Sequence, residues 1–279
     1  VALTDVWMAV SRDGGRSFAA AVKVPEADGA VWGQAVSRPR VVGTPNGTWH
    51  VSYAANDRQE ELGKAVLATH YTRSVDGGRS FEAPRRLSTI TAQDMSGVLH
   101  GGFASAAAFG TLAAAPDGGV HAFWIDTRHM PPDGDSAAIY GATSRDDGRS
   151  FAAERPVAAT GVCPCCQLMA VADAGSDILL GSREVGKDGV RSPTVSRIAA
   201  RSTAAGPRVP TGGKPWQIAG CPLKPTAVAV QGRHVLAAVH NGAEAPPAVV
   251  LSASDDGGRS FRALGPVHPG AVVSDAPSL

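Results

Sequence analysis

Short apolar or alternating runs recur along this chain, and turns rich in glycine and aspartate separate them. Residues 137–143 and 248–253 are two such runs. Runs of this kind, bounded by Gly, Pro, Asn and Asp, are typical of β-strands. One complete repeat predicts a tight turn at Asn46-Gly47 and three strands, at residues 39–43, 48–54 and 65–74. Later stretches copy this plan, so the sequence predicts an all-β fold.

A polar turn motif of the form Ser-x-Asp-x-Gly-x-Ser-Phe follows these runs and recurs at intervals of roughly 50 to 70 residues. Intact copies occupy residues 11–18, 74–81, 144–151 and 254–261, and a degenerate copy occupies residues 196–202. The aspartate accepts hydrogen bonds from nearby backbone N–H groups and the glycines supply positive φ, so the motif predicts a hairpin turn. Its structural aspartates are Asp13, Asp76, Asp146 and Asp256.

The motif resembles the Asp-box, or BNR repeat, of the sialidase-like β-propellers, and its copies extend over nearly the whole chain. The resemblance implies a β-propeller of four-stranded antiparallel blades with Asp-box hairpins, forming a single domain over residues 1–279. We expect five blades, with six as the alternative. The first repeat lacks its inner half, and residues 271–279 look like an inner strand. The two termini are therefore expected to meet in one composite blade, which protects the sheet edges.

The composition is that of an ordinary globular protein, with 43% hydrophobic and 18% charged residues and a net charge of +1. This balance gives no electrostatic reason to expect nucleic-acid binding. No apolar stretch is long enough to span a bilayer, so no membrane span is predicted. We expect a monomer whose partner is a small molecule, a glycan or a metal ion.

All four cysteines precede predicted inner strands of two neighbouring blades, and in a propeller such strands converge on the central channel. Cys163-Pro164-Cys165-Cys166 lies before one strand and Cys221 before the next. Three interpretations are open: a disulfide that joins the blades, a thiolate site for copper or zinc, and a redox pair at the C-x-x-C spacing of Cys163 and Cys166. The metal interpretation would add His129, Met130 or His240 as neighbours.

We expect Cys221 to form a disulfide with one of the other three cysteines and to leave two thiols for a second bridge or a soft metal. Pro164 restricts the backbone, so the three thiols of the first cluster are expected not to point the same way. The C-P-C-C motif, followed one blade later by G-C-P, also resembles a group of uncharacterised bacterial exported proteins. That resemblance implies a periplasmic or secreted protein.

Charged side chains that follow predicted second strands are candidates for a site at the channel mouth. Asp126 and Glu184 could act as an acid and base pair in glycoside hydrolysis. An anionic ligand could be held by Arg58, Arg128 and Arg183, with His240 nearby. The alternative is that these residues form ion pairs at strand ends.

A true sialidase would need more than Asp-boxes. Such enzymes resemble one another in an arginine triad, an Asp acid, a Tyr-Glu nucleophile pair and an R-I-P motif. Here Arg38-Pro39-Arg40 lacks the Ile, and all three tyrosines lie in predicted strands or on the outer hairpin. The leading prediction is therefore a ligand-binding propeller with a cysteine-rich site. The alternative is a glycoside hydrolase of the sialidase class acting on an anionic or neutral glycan.

Overall fold

The computed structural model describes residues 3–25, 30–33, 37–59, 64–91, 105–130, 134–202, 204–218, 220–243, 245–270 and 277. Within these ranges the secondary structure is all β apart from a single 3-10 turn at Lys187–Gly189. None of the described helical structure is long and apolar enough to cross a membrane. The predicted all-β class is confirmed.

The described chain contains four successive units of β-strands. The order of the strands in each unit matches that of one predicted blade. In the unit that follows the second Asp-box, neighbouring strands pair antiparallel in chain order. Its strands are β9 (Ser105–Ala114), β10 (Val120–Asp126), β11 (Ala137–Ser144) and β12 (Arg155–Val162). The last unit repeats this order with β18 (Thr226–Gln231), β19 (His234–Asn241), β20 (Ala248–Ser254) and β21 (Arg262–Pro266). The predicted four-stranded antiparallel unit is therefore present.

The two remaining units follow the same plan with shorter outer strands. One consists of β5 (Arg40–Gly43), β6 (Trp49–Gln59), β7 (Lys64–Ser74) and β8 (Arg85–Arg86). The other consists of β13 (Met169–Ala172), β14 (Ile178–Val185), β15 (Val190–Ile198) and β16 (Val209–Pro210), with β17 (Trp216–Gln217) also paired to β15.

The N-terminal segment forms only two-residue strands in the described part of the chain. They are β1 (Leu3–Thr4), β2 (Trp7–Met8), β3 (Val22–Lys23) and β4 (Val31–Trp32). β2 pairs with β3, whereas β1 pairs with β4, which extends the sheet of β6. The inner strand expected in the C-terminal tail falls on residues 271–276 and 278–279, which lie outside the described residues. The five-blade count, the six-blade alternative, the single domain and the composite blade stay predictions.

The apolar core lies between neighbouring units because strands such as β10 are buried on both faces. Trp124 of β10 packs in one cluster with Tyr71 of the preceding unit. The adjacent residues Phe123 and Ile125 point to the opposite face and share a second cluster with Leu180 of the following unit. The period-2 alternation of β10 thus joins its unit to the units before and after it.

The Asp-box turns have the geometry that their sequence predicts. In the second copy, Ser74 Oγ donates to Asp76 Oδ1 over 2.8 Å, and the backbone N–H of Gly78 donates to Ser74 Oγ over 2.8 Å. Asp76 also accepts hydrogen bonds from Ser80 Oγ at 2.6 Å and from the backbone N–H groups of Arg79 and Ser80. These bonds, led by that from the Ser80 side chain, hold the pKa of Asp76 well below its usual value.

Replacing Asp76 by Asn is expected to lower the melting temperature at neutral pH, because the amide loses the charge that these donors stabilise. A carboxylate with a depressed pKa contributes stability that is present above its unfolded value of 3.8 and lost as the pH falls through the folded value. The difference in melting temperature between the variant and the wild type should stay constant from about pH 8 to about pH 5 and become smaller in more acidic solution. Thermal unfolding followed by circular dichroism at each pH measures it.

Asp188→Asn is a matched control, since Asp188 is exposed and its positive φ of 58° is one that asparagine tolerates. It should unfold at the wild-type temperature throughout. If the decrease in melting temperature caused by Asp76→Asn did not change in acid, this result would contradict a role for the carboxylate charge.

The third Asp-box contains Asp147 where the other intact copies have glycine, and this carboxylate joins two units. Asp147 accepts hydrogen bonds from Thr44 Oγ1 at 2.9 Å, Asn46 Nδ2 at 2.8 Å and Thr48 Oγ1 at 2.7 Å. These three donors surround the predicted turn at Asn46-Gly47, which the structure confirms, with φ of 89° at Gly47.

Arginine side chains also connect successive Asp-box turns. Each donates to a backbone carbonyl of the next box: Arg73 to Asp147, Arg145 to Ala200, and Arg197 to Gly257. The degenerate copy thus keeps its place in this series although its Asp and Gly are lost. The box turns therefore serve the packing between units.

Candidate functional site

The cysteines lie in two connections that precede the inner strands of adjacent units, as predicted. Cys163, Cys165 and Cys166 occupy the turn between β12 and β13, and the backbone N–H of Cys163 donates to the Arg183 carbonyl over 2.8 Å. Cys221 precedes β18. The first three side chains are buried, whereas Cys221 is partly exposed.

A disulfide joins Cys165 to Cys221, with their Cα atoms 6.4 Å apart. This separation lies within the normal range for disulfides. The prediction that Cys221 pairs with a cysteine of the first cluster is confirmed. Cys163 and Cys166 remain free thiols.

The two free thiols lie against this disulfide. Cys163 Sγ is 3.3 Å from Cys166 Sγ and 3.2 Å from Cys221 Sγ, and Cys166 Sγ is 3.9 Å from Cys221 Sγ. The expectation that the three thiols of the first cluster would not all point the same way stays a prediction: the sulfurs of Cys163 and Cys166 lie together, and that of Cys165 is bonded to Cys221. Residues 164 and 165 form a turn that brings Cys163 and Cys166 together, since the ends of a β-turn are close in space.

Two buried arginines adjoin the sulfur atoms. Arg183 is only 1% exposed and donates to the backbone carbonyls of Lys224 and His240 over 3.3 and 3.4 Å, and to Cys166. Among the residues that the structure describes, no carboxylate forms an ion pair with Arg183. Because a buried charge needs a partner, a thiolate at Cys166 is the counter-charge that the geometry offers.

The second arginine, Arg191, is also buried and forms an ion pair with Asp135 over 2.8 Å. It donates to the carbonyl of Gly220, the residue before Cys221, and its charge favours ionisation of Cys163.

The thiols of Cys163 and Cys166 differ in how readily they ionise. Burial opposes ionisation of Cys166, but the hydrogen bond from Cys163, the Arg183 guanidinium and the backbone N–H groups of Lys224 and Leu223 outweigh it and bring its pKa to about 7. The same hydrogen bond to Cys166, together with burial, raises the pKa of Cys163 far above its usual value. Cys166 therefore ionises more readily than Cys163.

The other predicted neighbours of a metal ion lie in different surroundings. Met130 packs in the apolar core, and His129 is exposed. His240 is buried beside the cluster, where its carbonyl accepts from Arg183 and its ring centroid is 6.2 Å from that of Trp216.

Asp126, a candidate catalytic acid, lies at the end of β10 and is engaged by Arg128. Arg128 Nε and Nη2 donate to the two oxygens of Asp126 over 2.9 and 2.8 Å, and Nη2 also donates to Glu154 over 2.6 Å. The Asp126 side chain is 0% exposed. The Arg128 guanidinium lies 4.2 Å from the ring centroid of Tyr140, which fixes its orientation further. The ion pair at a strand end is the arrangement present here.

The other candidates have separate environments. Glu184 lies near the C-terminal end of β14. Its side chain is 40% exposed, and its Oε1 is 3.4 Å from Nη1 of Arg208. Arg58 lies in β6, and its side chain is outside the described residues. The catalytic roles of Asp126 and Glu184 and the ligand-binding roles of Arg58, Arg128, Arg183 and His240 stay predictions.

Sequence reasoning missed three residues of these sites: Arg191, Glu154 and the side chain of Arg40. Burial, and then the nearby Arg38, lower the pKa of Arg40 to about 10, and its buried Nε has no hydrogen-bond partner among the described residues. Gln167 connects this region to the cysteine turn, because its side chain donates to the Arg38 carbonyl over 2.8 Å. The only sequence signal was the pairing of Arg38 with Arg40 before an inner strand.

No protein-family model matches this chain, and no curated protein sequence does either. Solved structures do resemble it. A Penicillium chrysogenum alpha-L-arabinanase complexed with arabinobiose is 14% identical with a TM-score of 0.58, and the match covers 95% of this chain and 72% of the arabinanase. A Hadza microbial sialidase is 15% identical with a TM-score of 0.54, over 90% of this chain and 54% of the sialidase.

Trypanosoma rangeli sialidase in complex with sialic acid is 9% identical with a TM-score of 0.52, and the match covers 92% of this chain and 40% of that enzyme. The chain thus spans about half or less of the length of the two sialidases. At these identities the likeness establishes the fold, which is of the propeller type found in these glycosidases.

Proposed function

We propose that the protein is an exported ligand-binding propeller whose working site is the four-cysteine cluster, and that its ligand is a soft metal ion, copper(I) or zinc. The observation that carries this proposal is the convergence of sulfur atoms at separations of 3.2 to 3.9 Å. Ligands of one tetrahedral ion at about 2.3 Å lie roughly 3.8 Å from one another. The sulfur atoms of Cys163, Cys165 and Cys221 lie within 4.8 Å of one another, and reduction of the Cys165–Cys221 bond would free two of them as ligands.

The charges around the cluster support the same ligand. Thiolates select copper(I) and zinc among the biological metals, and a complex of copper(I) with two thiolates, or of zinc with three or four, is anionic. Arg183 and Arg191 supply buried positive charge beside it. In the oxidised protein two thiols, Cys163 and Cys166, are available, and reduction of the disulfide would make four.

An exported location agrees with the cysteine chemistry. Disulfides form and persist in oxidising compartments such as the bacterial periplasm, and this one connects residues 56 positions apart. Together with the resemblance to bacterial exported proteins, it supports a periplasmic or secreted protein.

Metal titration tests the proposal. Reduced protein should bind about one copper(I) or zinc ion per chain in anaerobic competition with a chromophoric chelator. Cys163→Ser and Cys166→Ser should each weaken binding at least tenfold, because each removes a thiolate ligand. Met130→Leu serves as the control, since Met130 packs in the core, and should bind as the wild type does. Failure of the reduced wild-type protein to retain either ion against a weak chelator would refute the proposal.

A second candidate is a glycoside hydrolase of the sialidase class, favoured by the fold likeness and by Arg40. A buried guanidinium nitrogen without a partner is a natural site for an anionic group of a glycan. Hydrolysis of a fluorogenic sialoside or neutral glycoside, lost in Glu184→Gln, would favour this candidate. The sequence predicts no tyrosine paired with a glutamate at the channel mouth, so we expect no sialidase turnover.

A further inference from the structure

We propose that the four cysteines also form a thiol–disulfide exchange site, in which Cys221 passes its bond between Cys165 and the two adjacent thiols and accepts electrons from external thiols. The distances carry this inference. Cys221 is bonded to Cys165, yet its sulfur lies 3.2 Å from Cys163 Sγ and 3.9 Å from Cys166 Sγ. Thiol–disulfide exchange begins with such an approach of a free sulfur to a bonded one.

A disulfide that only connects two units has no use for buried thiols in contact with it. Here both free cysteines are buried and both approach the same bonded sulfur. Arg183 is buried against Cys166 and forms no ion pair with a carboxylate of the described residues, so it places a positive charge beside the cluster. The arrangement therefore supplies a nucleophile, a disulfide and a positive charge in one place.

The internal step balances without any oxidant or reductant. Cys163 loses its thiol proton, and its sulfur forms a bond to the Cys221 sulfur, which is 3.2 Å away. The Cys165–Cys221 bond breaks as that bond forms, and Cys165 leaves as a thiolate that takes up the proton released by Cys163. One disulfide and two thiols are present before and after the step.

An external thiol reacts first with Cys221, because this cysteine of the cluster is partly exposed. A thiolate of a small dithiol attacks Cys221 and releases Cys165, and the second thiol of the reagent closes its own disulfide and releases Cys221. Two electrons and two protons pass from the dithiol to the protein. Cys163 competes with the second thiol of the reagent. When the Cys163 sulfur attacks Cys221 in the mixed disulfide, it releases the reagent and forms a Cys163–Cys221 disulfide.

Disulfide mapping of single serine variants tests this inference in the full-length protein, with a chelator present to exclude metal ions. Cys165→Ser, refolded with oxidised and reduced glutathione and then alkylated, should contain Cys221 bonded to Cys163 or Cys166. In the wild type, a substoichiometric amount of dithiothreitol should produce Cys163–Cys221 alongside Cys165–Cys221. The double variant Cys163→Ser/Cys166→Ser is the control and should keep the Cys165–Cys221 bridge alone.

A fixed structural disulfide gives a different result. Cys221 would then be a free thiol in Cys165→Ser, and wild-type protein treated with limiting dithiothreitol would contain only the Cys165–Cys221 isomer. Either finding overturns the inference, and the wild-type experiment decides it if Cys165→Ser does not fold. Since the metal is absent, neither result depends on whether the cluster binds copper or zinc.

Discussion

Cys221→Ser is expected to lower the free energy of unfolding by about 4 kcal/mol, because it removes a cross-link that closes a long loop in the unfolded chain. The loop spans 56 residues and connects two adjacent units of the fold. Without the bond, the denatured ensemble gains the conformational freedom that the cross-link withholds. Urea denaturation in the absence of reductant, followed by tryptophan fluorescence, measures the loss.

Cys163→Ser is the matched control for this variant, since it alters a buried sulfur of the same cluster but leaves the Cys165–Cys221 bond in place. It should lose much less stability than Cys221→Ser. In excess dithiothreitol the wild type and Cys221→Ser should become nearly equal in stability. A gap that persisted in reductant would show that Cys221 contributes through packing and not through the bond.

Arg128→Met is expected to destabilise the protein by about 3 to 5 kcal/mol, because it leaves a buried carboxylate without its partner. Asp126 has no exposed side-chain surface, and Glu154 is only 6% exposed. Both lie against the same guanidinium, at 2.8 and 2.6 Å. Methionine keeps the length of the side chain, so the loss reports the charge and its hydrogen bonds. Urea denaturation at neutral pH is again the measurement.

Arg262→Met provides the comparison with an exposed ion pair. Arg262 and Asp255 are 3.7 Å apart, with side chains that are 64% and 55% exposed. Solvent screens such a pair, so this variant should lose at most about 1 kcal/mol. Equal losses in the two variants would contradict the buried ion-pair account of Arg128.

The Asp126–Arg128 pair also bears on catalysis. Both oxygens of Asp126 accept from the guanidinium, and Trp124 Nε1 approaches one of them at 3.3 Å. A general acid must lie within hydrogen-bond reach of the leaving group, and here both oxygens of Asp126 are engaged by donors of the protein. The thiol chemistry of the cysteine cluster is therefore better supported by the contacts than glycoside hydrolysis at Asp126.

The sequence by itself determined the features that depend on neighbouring residues. The Ser-x-Asp-x-Gly turn is closed by bonds between residues at most four positions apart, so its motif predicts it without knowledge of the rest of the fold. Alternating apolar runs identified the strands for the same reason. Counting strands between boxes then placed both cysteine segments before inner strands and predicted that Cys221 bonds to the first cluster.

Only the tertiary structure decided how side chains from distant segments meet. It selected Cys165 as the partner of Cys221, brought the free thiols of Cys163 and Cys166 against that bond, and placed Arg183 beside them. It likewise joined Arg128 to Glu154, 26 residues away. Sequence patterns specify which face of a strand is apolar, but distances between side chains on different units depend on how the units pack.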